Sequence, residues 1–142
     1  MSGLETGSCL CGQLHFSAPR PLRPVIACHC SQCRKTSGHF VAATSAARDT
    51  VVIKGEATCH RSSAQARRGF CGICGSQIFW DGPGENIAIF VGSLNGDTGT
   101  ELAGHIFCAD KGDYYQINDG LPHAEADDPA LTTQFYKSAV VQ

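Results

Sequence analysis

Short apolar runs broken by glycine and proline set the pattern of this chain. They are QLHFSA (13–18), FVAATSA (40–46), TVVIKG (50–55), SQIFW (76–80), NIAIFVGSL (86–94), GHIFCA (104–109) and DYYQI (113–117). Most last four to eight residues and are rich in Val, Ile, Phe and Tyr, which predicts β-strands. Leu14 and Phe16 alternate with polar neighbours, the mark of a half-buried strand, whereas IAIFV is apolar throughout and predicts a strand covered on both faces. Helical signals are sparse. One turn is expected after Cys30, with Ser31 as its N-cap. A second helix is expected from Asp128 and Pro129, with Leu131 and Phe135 on one face. SAPRPLRP (17–24) reads as a proline-stiffened connection. No repeat and no internal boundary stands out, so residues 1–142 are expected to form one domain that is mainly β, with 124–142 as an appendage packed outside.

Composition narrows the function. The chain has 142 residues and a net charge of −2, with 42% hydrophobic residues. That suits one folded domain and argues against partners that are bound through bulk charge, such as nucleic acid or an anionic membrane. No apolar run approaches the ~20 residues of a membrane-spanning helix. MSGLETGSC lacks a basic segment followed by an apolar one, so a cytoplasmic protein is expected.

Nine cysteines change the picture most. In a reducing compartment, clustered thiols point to metal binding or catalysis, and an odd number fits poorly with a secreted disulfide scaffold. SCLCGQ places Cys9 two residues before Cys11, and GFCGICGS places Cys71 three before Cys74. A CxxC pair with a trailing glycine is a frequent zinc turn. Sulfurs on one tetrahedral zinc lie about 3.8 Å apart, but residues i and i+2 of a flat strand are about 6.6 Å apart. Cys9 and Cys11 can therefore share an ion only if the chain bends, which Gly12 permits. The simplest assignment gives Cys9, Cys11, Cys71 and Cys74 to one closed, structural zinc. A thioredoxin-like redox role for the CxxC lacks the expected βαβ context.

ACHCSQCRKTSG (27–38) brings Cys28, Cys30 and Cys33 within six residues. A fourth ligand could be His29, His39, Cys59 or Cys108. His29 points away if its neighbours face the metal, Cys59 has no partner at ligand spacing, and Cys108 sits in a run expected to be a buried strand. Three protein ligands with one open position is the better reading, and an open position is the mark of a catalytic zinc.

The order CxCG, CHCxxCRKxxG and FCxxCGS, with GHIFCADKGDYYQINDGLP (104–122), resembles the glutathione-dependent formaldehyde-activating enzyme family, which includes the centromere protein V-like proteins. The match covers about residues 6–122. The resemblance implies the Mss4-like fold of several short coiled antiparallel sheets. It also implies a structural zinc on Cys9, Cys11, Cys71 and Cys74 and a more labile one on Cys28, Cys30 and Cys33, two Zn2+ per chain in all. The implied activity is condensation of glutathione with formaldehyde, which in reverse is a carbon–sulfur lyase reaction. A small thiol and a small aldehyde would then be the partners.

Three thiolates make zinc a weak Lewis acid, better suited to a fourth sulfur than to activating water. A thiol held there as thiolate could attack an aldehyde carbon. The added negative charge calls for nearby cations. Arg34 and Lys35 directly follow the third ligand, while His60, Arg61, Arg67 and Arg68 precede the last CxxC; each is equally a candidate for a solvated surface charge. His39 and His105 are possible proton shuttles, though a packed or surface histidine is the plainer reading. Lys111, Tyr114 and Tyr115 could line a pocket and receive no role. The competing class is a zinc-stabilised binding module without catalysis. A thiol or metal sensor is a further alternative, and a nucleic-acid-binding zinc ribbon the weakest.

Overall fold

A computed structural model describes residues 3–133. The described residues form two compact units, one from residues 3–22 and 44–99 and the other from residues 23–43 and 100–133.

In the first unit, β1 (Leu4–Ser8), β2 (His15–Pro19) and β5 (Val52–Lys54) form an antiparallel sheet in the order β1-β2-β5. A second sheet runs β9 (Asn86–Phe90), β8 (Gln77–Asp81), β7 (Arg67–Cys71) and β6 (Ala57–Arg61). Phe16 and Ala18 of β2 point inward, as their alternation predicts. The core gathers Leu14, Phe16, Ile78, Phe79, Ile87 and Ile89 together with Cys9 and Cys71. Phe16 meets Phe79 edge-on with ring centroids 5.3 Å apart, an arrangement that favours the ring quadrupoles.

Two elements of this unit escape the hydrophobic pattern. β1 reads LETGS, yet Glu5 and Gly7 are its inward residues. Glu5 is 1% exposed and is neutralised by Arg20, whose Nε donates to it at 2.7 Å. Gly7 leaves the space that the Phe16 ring occupies, since a Cβ there would lie 2.3 Å from the ring. β6 is exposed along its whole length, so it carries no inward apolar signal. β9 differs from expectation too. Ile87 and Ile89 are buried, but Asn86, Ala88 and Phe90 are half-buried, and the expected strand to residue 94 ends at Phe90, where a 3-10 turn begins.

Gly55 closes the turn after β5 with φ +87°, and a Cβ there would lie 1.8 Å from the Gln13 carbonyl oxygen. Gly55→Ala therefore meets both an unfavourable backbone conformation and a backbone clash. A loss of about 2–4 kcal/mol is expected, seen as a lower urea midpoint; an unchanged midpoint would contradict this.

In the second unit, β3 (Val25–Cys28) lies between β10 (Leu102–Ile106), with which it is parallel, and β4 (Val41–Ala47), with which it is antiparallel. The pairing residues of β4 are 41–43, and the chain returns to the first unit within this strand. α1 (Ser31–Ser37) follows β3 directly. Its N-cap is Cys30, not Ser31: the Cys30 sulfur accepts from the Cys33 N–H. α2 (Pro129–Thr132) starts as expected, with the Asp128 carboxylate accepting from Ala130 N–H. Phe135 lies outside the described residues.

Ile26, Ile106 and Leu131 form a small core here. The described part of the C-terminal segment is integral to this unit. Backbone bonds join Ala124 to His105 and Cys108, and Ala126 to Phe107, and Leu131 is buried. DYYQI, expected as a strand, forms none. Its Tyr114 hydroxyl donates to the Gly38 carbonyl at 2.9 Å, which ties this segment to the end of α1. Cys108 is buried, but in a 3-10 turn after β10. No helix among the described residues is long and apolar enough to cross a membrane.

Candidate metal centres

Cys9 follows β1, and the chain turns at once. Gly12 has φ +85°, and its N–H donates to the Cys9 carbonyl at 3.2 Å. This is the bend that the CxC geometry demands. Cys71 ends β7, and the Gly75 N–H closes the following turn on the Cys71 carbonyl at 2.8 Å. The sulfurs of Cys9 and Cys11 stand 3.6 Å apart, and those of Cys11 and Cys71 3.7 Å apart. Both distances match the edge of a tetrahedral four-sulfur site, about 3.8 Å. All four sulfurs lie within 4.8 Å of one another.

The surroundings favour thiolates. Cys71 Sγ accepts from Gln13 Nε2 at 3.2 Å and from the N–H groups of Ile73 and Cys74 at 3.4 and 3.5 Å. The Cys74 N–H and the Gln13 amide hold the Cys71 thiol below its usual range. Ser76 Oγ accepts from Leu10 N–H at 2.9 Å and lies 3.2 Å from Cys74 Sγ, within reach to donate to a thiolate there. That hydroxyl brings Cys74 down to about 5. Gln13 and Ser76 were invisible as site residues in the sequence. Gln13 is placed by Glu56, whose carbonyl accepts from its amide and whose N–H donates to it, a pairing across 43 residues.

The second cluster is built on the junction of β3 and α1. Cys28 ends the strand, Cys30 caps the helix, and Cys33 lies in its first turn. Their sulfurs lie within 4.8 Å of one another, and among the described residues no fourth histidine, cysteine or carboxylate joins them at that distance. Donation from Cys28 and then Cys33 draws Cys30 down to about 2, while the Cys28 thiol is pushed up by its bonds to Cys30 and Cys33. Donation from neighbouring thiols favours the thiolate form, which is the form that a soft cation binds. The donor set thus fits zinc at both clusters: four sulfurs within 4.8 Å of one another, two of their separations at the tetrahedral edge, in one, and three convergent sulfurs in the other.

None of the candidate fourth ligands joins the trio within 4.8 Å. His29 is fully buried, and both its ring nitrogens are taken: Nδ1 lies 2.5 Å from Tyr115 Oη and Nε2 lies 2.9 Å from His105 Nδ1. Burial first, and then the neighbouring His105, lower its pKa to about 4. His39 is exposed and packs on Tyr115 with ring centroids 4.3 Å apart. Cys59 is exposed on β6 of the first unit. Burial raises the Cys108 thiol.

The candidate cations divide. Arg34 and Lys35 lie on α1, one and two residues beyond Cys33; Arg34 is half-buried and Lys35 exposed. His60, Arg61, Arg67 and Arg68 lie on β6 and β7 of the first unit. Arg67 is paired with Asp81 at 3.1 Å, and Arg68 is buried. His105 donates or accepts at both nitrogens, with Nε2 2.7 Å from Asp119 Oδ2. Lys111 Nζ donates to the Tyr115 carbonyl at 2.6 Å and lies 5.1 Å from the centre of its ring.

A comparison with curated proteins finds no match. The family model described as "Glutathione-dependent formaldehyde-activating enzyme" matches residues 4–110, a span that includes both cysteine clusters and all ten strands. With this match over most of its length, the chain belongs to the glutathione-dependent formaldehyde-activating enzyme family.

Proposed function

We propose that this protein joins a thiol such as glutathione to formaldehyde or a related small aldehyde, and catalyses the reverse carbon–sulfur cleavage. The observation that carries this reading is the trio Cys28, Cys30 and Cys33, whose sulfurs converge without a fourth protein ligand among the described residues. A zinc ion held by these three would offer its remaining position to a soft sulfur and lower the proton affinity of a thiol there. The protein's own part is to hold the thiol and place it beside the aldehyde carbon, which supplies rate through proximity. Arg34 and Lys35 are suited to offset the negative charge and to receive the carboxylates of glutathione, with arginine able to bind a carboxylate through two N–H groups. Cys9, Cys11, Cys71 and Cys74 serve a second zinc that braces the fold. A reducing, cytoplasmic setting would keep the clustered cysteines available for metal.

Zinc analysis and sulfur coordination test this together. Purified protein is expected to hold close to two zinc ions per chain, one per cluster. Titration with glutathione should add a sulfur neighbour at zinc in X-ray absorption. If saturating glutathione leaves the average zinc environment unchanged, the reading is wrong.

A further inference from the structure

Gln13 is neither charged nor a usual metal ligand, yet its side chain joins distant segments of the first unit. Its Nε2 donates to the Glu56 carbonyl at 2.8 Å and to Cys71 Sγ at 3.2 Å, and its Oε1 accepts from the Glu56 N–H at 3.1 Å. Both amide hydrogens and the amide oxygen are therefore in use.

The backbone of Glu56 decides which way round this amide sits. An N–H only donates and a carbonyl only accepts, so Oε1 must face the first and Nε2 the second. One Nε2 hydrogen goes to that carbonyl, and the other is left aimed at Cys71 Sγ. The main chain of Gln13 is held as firmly. Cys9 N–H donates to the Leu14 carbonyl at 2.9 Å, Leu14 N–H donates to Cys9 Sγ at 3.4 Å, and Leu14 is fully buried.

The turn that presents Glu56 is fitted to the contact. A Cβ at Gly55 would lie 1.8 Å from the Gln13 carbonyl oxygen and 3.1 Å from Oε1, so only glycine lets the turn come this close. One residue beyond Glu56, β6 begins at Ala57, opposite Cys71 in the register with β7. Every residue of β6 is exposed, so side-chain burial does little to hold its start, and this amide is an anchor there.

The bond to Cys71 differs in origin from the other two at that sulfur. Ile73 and Cys74 donate from within the CxxC turn itself, at 3.4 and 3.5 Å, as any such turn allows. The Gln13 bond is shorter and comes from 58 residues away. N–H donation to a metal-bound thiolate spreads its negative charge, and loss of such a partner typically costs about 10–100-fold in metal affinity.

We propose that Gln13 is a positioning residue of the four-sulfur cluster, tying metal retention at Cys71 to closure of the turn at Gly55 and Glu56 through one carboxamide. This rests on the reading of Cys9, Cys11, Cys71 and Cys74 as a zinc site. The coupling is reciprocal. A metal that fixes Cys71 as an acceptor orients the amide for Glu56, and Glu56 orients the amide for Cys71.

Cadmium-113 can replace zinc among sulfurs and is visible by NMR, so it tests the bond directly. In native protein loaded with it, a Gln13 side-chain amide proton should show scalar coupling to the cadmium held by the four sulfurs, carried through the N–H···S bond. Gln13→Leu keeps the bulk and removes all three bonds. It should give up that cadmium to EDTA about tenfold faster or more and exchange the Glu56 N–H faster, with an unchanged far-UV circular dichroism spectrum. Gln13→Glu still accepts from the Glu56 N–H but offers Cys71 no hydrogen, so it should release cadmium at least as fast as Gln13→Leu. A residue that only braced the turn would be partly rescued by glutamate. Release at the native rate from Gln13→Leu, or slower release from Gln13→Glu than from Gln13→Leu, would overturn the proposal. Cadmium bound by the four sulfurs without the coupling would overturn it alone, whereas no uptake there would bring down the zinc reading of the cluster as well.

Discussion

Cys71→Ser is expected to abolish the native fold or lower its thermal midpoint by more than about 10 °C. Cys71 is fully buried within the main core and accepts from one side-chain amide and two backbone N–H groups. A structural zinc contributes about 10–16 kcal/mol of apparent binding free energy in small zinc modules, which rivals the whole 5–15 kcal/mol stability of an ordinary domain. Serine keeps the shape of the side chain but is a poor ligand for a soft site. The three remaining sulfurs would hold the ion far less tightly, and three N–H donors would face a neutral hydroxyl. Circular dichroism melting, with zinc measured on the same sample, checks this. A variant that melts within a few degrees of the native protein would show that the four-sulfur cluster is dispensable for folding.

Cys30→Ser is expected to do the opposite: keep the fold and lose the chemistry. Cys30 is the N-cap of α1, and its sulfur accepts from the Cys33 N–H at 3.4 Å. Serine is among the best N-cap residues, so the helix start survives and stability should change by less than about 1 kcal/mol. The trio is reduced to two sulfurs. Zinc should fall from near two to near one per chain, and adduct formation from glutathione and formaldehyde should drop to the uncatalysed rate. Together the two substitutions separate brace from reaction centre. If Cys30→Ser melts as early as Cys71→Ser, the trio is structural and the proposed mechanism fails.

The expected strands show which signals travel locally. β2, β4, β8 and β9 fall within a residue or two of apolar runs at one end or both; β2 and β9 bury alternate residues, as period-two hydrophobicity demands, while β4 and β8 bury consecutive ones. β1 was unreadable, since its inward residues are a glutamate neutralised by Arg20 and a glycine making room for Phe16. Those partners are other parts of the chain. β6 was unreadable for a simpler reason: it buries nothing. DYYQI misled in the other direction. Its aromatic residues pack against His29, His39 and the end of α1 rather than in a sheet, and local composition does not separate these uses.

The two cysteine clusters were legible in the chain itself, because a CxC or CxxC pair with a glycine turn brings its thiols together within a few residues. The site around them was not. Gln13 reaches Cys71 across 58 residues, and His29 meets His105 across 76 and Tyr115 across 86. The His29–His105 contact follows from the parallel register of β3 and β10, which sets His105 opposite Ala27. Hydrogen bonds need their partners within a few tenths of an ångström, and no spacing along a chain conveys that. Each cysteine pair is a matter of neighbours in sequence, whereas which pairs meet, and which polar groups surround them, is settled only when distant segments are brought side by side.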